Sequence, residues 1–140
     1  MAAIALSNVI AGTTVAAGTS MDRTLARLQG LYFLATGVWP LVSMRTFEAV
    51  TGPKADKWLV KTVGVLVSVI GAVLVLAGRR GAAAAPEPAL LATGSAAGLA
   101  AIDVIYVANW TIDRIYLIDA AAEALLIALW VWLLTTTGVR

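Results

Sequence analysis

Residues 101–125 read AIDVIYVANWTIDRIYLIDAAAEAL, two apolar runs joined by the short polar segment WTIDR. So short a link between helix-length apolar runs predicts an antiparallel helical hairpin. Inside those runs lie the carboxylates Asp103, Asp119 and Glu123. A charged side chain in hydrocarbon costs several kcal/mol even on lenient scales, so acids in such places point to function.

Taking Thr111 as the centre of the turn, Asp103 precedes it by as many residues as Asp119 follows it. A helical hairpin therefore sets the two acids at matching depth, roughly 12 Å from the turn. Tyr106 and Tyr116 bracket Thr111 in the same way. Tyr116, Asp119 and Glu123 fall at i, i+3 and i+7, on one helix face, and Asp103 and Tyr106 are i, i+3 neighbours. Glu123 lies about 6 Å deeper than Asp119. Small residues around the acids, among them Gly98, Ala100, Ala120 and Ala124, permit close helix approach or leave space for a ligand. Three acids crowded in a low dielectric cannot all ionise cheaply. The arrangement reads either as a site for a proton, cation or polar ligand, or as a polar network that glues helices together.

Outward from the hairpin, four segments have the length and apolarity of membrane spans: about 28–44, 58–78, 89–109 and 115–137. Their connections are polar and punctuated, by Gly52-Pro53 in the first and by Gly81 and two prolines in the second. Trp39, Trp58, Trp110, Trp130 and Trp132 fall mostly near span ends, as interfacial anchors do. Residues 1–24 are expected to form a short N-terminal tail or an extra helix, and 25–140 the four-span domain. The fold class expected is therefore all-α: an integral membrane four-helix bundle.

Composition agrees. Hydrophobic residues make up 61% of the 140 and charged ones only 13%, about half the charged share of a soluble domain. Mean hydropathy is +0.91. Net charge is +2 with no dense basic run, so nucleic acid is not expected as a partner. Cysteine and histidine are both absent, which removes disulfides, thiolate chemistry, Cys/His zinc sites and His-based triads. No catalytic or metal-ligating set is expected, and no cofactor. Basic residues divide evenly between the two sides of the four-span arrangement, so positive charge favours neither orientation; the tight flanking of span ends by Arg23, Arg27, Arg79 and Arg80 leans toward cytoplasmic termini.

Counter-charges stand on the side of the WTIDR turn. Lys61 or Arg45 could pair with Asp103 or Asp119; the other reading is that Lys61 reaches the interface along its aliphatic stem and that Arg45 simply lies at the boundary. Trp39-Pro40 predicts a kink. Gly64, Ser68, Gly71 and Gly78, and the GxxxG pair Gly94/Gly98, predict tight helix packing. The first connection, with Phe47, Val50 and Glu48, reads as a lid over the acidic hairpin or as a solvated loop, with Glu48 offered to a lysine.

The stretch SMRTFEAVTGPKADKWLVKTVGVL, followed by the acid-bearing hairpin, resembles small uncharacterised bacterial four-span membrane proteins, loosely of DoxX-like type. The resemblance covers about residues 25–137 and implies a four-helix membrane bundle in a bacterial cytoplasmic membrane, with no catalytic signature to carry over. The expected function is binding or transport of a proton, cation or amine-bearing small molecule at Asp103, Asp119 and Glu123, assisted by Tyr106, Tyr116 and Lys61. The alternatives are a non-catalytic accessory or structural membrane subunit and a membrane-embedded carboxylate-dependent enzyme. The expected partners are the bilayer, a small cationic ligand, and a second copy or larger membrane protein.

Overall fold

The computed structural model describes the backbone of residues 2–137 and the side chains of residues 20–136. Five helices follow one another: α1 (Ala2–Val42), α2 (Met44–Thr51), α3 (Lys57–Arg80), α4 (Pro86–Ala108) and α5 (Tyr116–Thr137). There is no strand among the described residues. By length and apolarity, α3, α4 and α5 are each able to cross a membrane. The stretch expected as the first span lies in α1, which also carries residues 2–24 in the same continuous helix. Met1 and residues 138–140, part of the expected tail and of the four-span domain, lie outside the described residues.

Local chemistry explains where the helices stop. α1 runs through Pro40 and ends two residues later, close to where the lost proline N–H weakens the backbone ladder. Ser43 then caps α2, its hydroxyl accepting from the Thr46 N–H at 3.4 Å. α3 ends with Arg79 and Arg80 in its last turn and Gly81 in the left-handed region at φ 73°, a conformation that costs glycine no Cβ clash. Pro86 opens α4, where its missing N–H would have had no helical partner. Beyond α4, Trp110 takes the left-handed conformation at φ 56°, and the Asp113 carboxylate accepts from the Ile115 N–H at 2.9 Å, which starts the return into α5.

α1 lies along α3, α4 packs against α5, α1 bridges to α5, and α3 and α4 touch only sparsely. Glycines set the α1–α3 contact. A Cβ built on Gly30 would stand 2.6 Å from the Gly71 carbonyl oxygen, and one on Gly64 would stand 2.6 Å from that of Gly37. The matched pairs step seven residues along each helix in opposite directions, and Gly78 continues the series against Arg23. The small-residue spacing expected to bring helices together thus does so on α3. On α4 it does not: Gly94 and Gly98 have nothing within 4 Å of a built Cβ.

The exterior is apolar and the interior partly polar. Val69, Leu90, Ile118 and Leu125 are each more than half exposed, whereas Gln29, Asp103 and Glu123 are buried. That inversion of a soluble protein suits helices solvated by lipid. Toward the α3–α4 turn, Leu25, Ala26, Leu74, Ala83, Ala89, Ala92, Trp130 and Leu133 form the apolar core. Against it, Gln29 Nε2 donates to the Ala92 carbonyl at 2.8 Å and Trp130 Nε1 donates to Gln29 Oε1 at 2.7 Å, so one buried amide joins α1, α4 and α5.

Candidate functional site

At the opposite end of the bundle the helices part around a cavity of about 400 Å³. Thr36 and Gly37 come to it from α1, Val63 and Val67 from α3, and Leu99 and Asp103 from α4. Asp119 and Glu123 come from α5. The antiparallel hairpin does bring the three acids together, because equal spacing about the turn gives equal depth. The Asp103 and Asp119 carboxyls lie within hydrogen-bonding reach of each other, an arrangement that needs a proton or a cation between two acceptors. Asp119 also accepts from the hydroxyl of Tyr32.

Two buried carboxyl oxygens of residues that line this cavity have no hydrogen-bond partner: Asp103 Oδ2 and Glu123 Oε2. Asp103 is 7% exposed and Glu123 1%. A buried acceptor without a donor costs about 1–3 kcal/mol, and more when charged. Such an orphan calls for an explanation.

The remaining expected site residues divide. Tyr116 lines the cavity, with the Lys54 ammonium 4.9 Å from its ring centroid. Tyr106 does not join the acids. It is 46% exposed: positions i and i+3 lie about 60° apart around a helix, so Asp103 faces the interior while Tyr106 sits toward the outside. Lys61 is also exposed and lies outside the cavity, as does Arg45; neither forms the carboxylate pair that the sequence allowed. Lys61 precedes the cavity-lining Val63 and Gly64 on α3 but lies exposed on the exterior.

Lys54, not Lys61, is the basic residue at the cavity. Its ammonium donates to the Thr51 carbonyl at 2.7 Å. The first connection borders the cavity: Phe47 of α2 and Lys54 of the following loop both line it. Glu48 ties this segment together, accepting from the Lys54 backbone N–H at 2.9 Å and from Lys57 Nζ at 2.9 Å. Those two donors hold the Glu48 carboxyl below its ordinary range.

Sequence reasoning missed Tyr32, Thr36, Gln29 and Lys54. A signal for the first three was present: Gln29, Tyr32 and Thr36 form an i, i+3, i+7 polar row on an apolar helix, the same spacing as Tyr116, Asp119 and Glu123. Lys54 carried no signal, because its place depends on how a loop folds back.

Fold and site together are those of an all-helical chain with three helices long and apolar enough to cross a membrane and a buried acidic cavity. No family model, curated protein or solved structure matches the chain.

Proposed function

We propose that this chain is a four-span bundle of the bacterial cytoplasmic membrane, α1 supplying the fourth crossing, and that its acidic cavity binds or carries a proton, cation or amine-bearing small molecule. One observation supports the reading above all: two buried carboxyl oxygens, Asp103 Oδ2 and Glu123 Oε2, left without donors on residues that line a cavity large enough for a ligand. Packing alone gives no reason for orphaned acceptors, whereas a bound cation or proton donor satisfies them.

Reconstitution into proteoliposomes with an internal pH dye, with and without an imposed gradient and candidate cations outside, tests this. Proton or cation uptake that disappears in Glu123→Gln supports the reading. Equal behaviour of protein-containing and empty vesicles, together with no cation or amine binding to the purified protein, defeats it.

A structural subunit is the second reading. It is favoured by the Tyr32–Asp119 hydrogen bond, which ties α1 to α5 as a packing device would. Under that reading Glu123→Gln changes stability and nothing else.

A further inference from the structure

The walls of the cavity narrow the choice of occupant. Apart from the acids, it is bounded chiefly by side chains with no hydrogen-bonding capacity, among them Leu59, Val63, Val67, Leu99 and Ile102. A small inorganic cation stripped of water needs a shell of oxygens. Among the described residues, no group of three or more acidic side chains is arranged to hold a metal ion. A sugar or other polyhydroxyl compound would leave most of its own donors unpaired against these walls. The two orphaned oxygens, by contrast, are acceptors in want of N–H donors that bring positive charge.

The opening of the cavity is equally specific. Leu59, Val63 and Ile102 line it and are also exposed on the apolar exterior, at 47%, 44% and 55%. They belong to α3 and α4, the helices that touch only sparsely. The cavity therefore opens sideways, onto the surface that faces lipid. Its other end lies under α2 and Lys54, whose ammonium is held by the Thr51 carbonyl and over the Tyr116 ring. A second positive charge on the occupant would meet Lys54 there.

Resting on the proposed function, we infer that the cavity takes a lipophilic monoamine from the bilayer, its ammonium set between Asp103 and Glu123 and its apolar body along the α3–α4 opening. A volume of about 400 Å³ falls within the range of small-molecule sites, roughly 300–1,000 Å³. The amine supplies the donors that both carboxyls lack. Its hydrocarbon replaces lipid against the valine and leucine walls.

A matched series of compounds on the full-length wild-type protein, in nanodiscs of neutral phosphatidylcholine, tests this without depending on any variant's folding. The probes are 4-phenylbutylamine, its neutral isostere 4-phenylbutanol, the dication 1,4-diaminobutane, and sodium or potassium chloride, each measured by calorimetry against empty discs. The amine is expected to bind saturably, one per chain, and at least roughly tenfold more tightly than the alcohol, in keeping with a hydrogen bond to a charged group. The dication is expected to bind more weakly than the monoamine. Glu123→Gln and Asp103→Asn are each expected to weaken amine binding by a similar factor while helicity by circular dichroism is retained. Equal affinity for amine and alcohol overturns the inference, as does tighter binding of the dication. If sodium or potassium binds and the amine does not, the amine assignment falls and the cation site survives. If none binds, both fall.

Discussion

The Tyr32 hydroxyl donates to the Asp119 carboxylate across the α1–α5 interface, so one acid of the cluster is held by a residue from a different helix pair. The ion pair that the sequence allowed with Lys61 is replaced by a neutral donor that needs no snorkelling cation in the interior. Tyr32→Phe is expected to lower stability by about 1 kcal/mol, the net value of one such hydrogen bond. Asp119→Asn is expected to cost less, because the amide oxygen still accepts from Tyr32. Reversible unfolding in mixed micelles measures both, and a larger loss in the asparagine variant would show that charge, rather than the hydrogen bond, holds the pair.

Gln29 carries more. Replacement by leucine leaves the buried Trp130 indole N–H without its partner and removes the donor to the Ala92 carbonyl. Gln29→Leu is expected to cost about 2 kcal/mol or more, since two groups lose partners. Trp130→Phe should loosen the same junction. If the double variant costs no more than Gln29→Leu alone, the two residues act as one unit.

The glycines separate into two kinds that sequence spacing does not distinguish. Gly71→Ala places a methyl against the Gly30 carbonyl, a backbone atom that cannot swing aside, so a loss of about 3 kcal/mol is expected. Gly94→Ala meets nothing and is expected to be neutral or to gain up to about 1 kcal/mol from helix propensity. Thermal unfolding of the two variants side by side checks the contrast.

The first connection should loosen in acid. The Glu48 carboxyl is held below its ordinary value near 4.5 by the Lys54 N–H and the Lys57 ammonium. A lowered folded-state value means its contribution is complete above 4.5 and disappears as pH falls through the folded-state value. Hydrogen exchange at the Lys54 amide, corrected for intrinsic rate, should therefore quicken below that point and stay level above it. In Glu48→Gln, whose amide oxygen can still accept but does not titrate, the acid transition should vanish.

Topology is open to direct labelling, because the chain has no cysteine of its own. Single cysteines at Leu31, Val69 and Leu125, all exposed on the bundle exterior, are expected to resist a water-borne maleimide in membranes. Cysteines at Ala55 and Thr111, in the connections at the cavity end, are expected to react. Strong labelling at Leu31 alone would remove α1 from the set of crossings; labelling at all three would remove the membrane bundle.

What the amino-acid sequence disclosed was what depends on local spacing. The α4–α5 hairpin and the convergence of Asp103, Asp119 and Glu123 follow from helical rise and a short turn, and both could be reckoned from residue numbers. The orientation of Tyr106 and Lys61 could not, because each shares a helix with a site residue but faces outward by an angle that only packing determines. Residues 2–24 lie in the same continuous helix as the first expected span, a continuity that apolarity alone does not announce, since local polarity does not end a helix that lacks a stop signal. The split among the glycines was hidden for another reason: which small-residue face meets a partner depends on which helices become neighbours.

The glycine-to-glycine contact of α1 and α3 has a mechanical consequence. Where carbonyl oxygens lie within a methyl's width of the opposite backbone, backbone meets backbone at those points, and side-chain rotamer changes there absorb little of a small slide. α1 and α3 are therefore the stiff half of the molecule. An occupant larger than the present cavity has to gain its space along the sparsely joined α3–α4 seam, by α4 and α5 swinging as a leaf against a fixed post. The acids Asp119 and Glu123 ride on that leaf, and the hydroxyl of Tyr32 stands on the post.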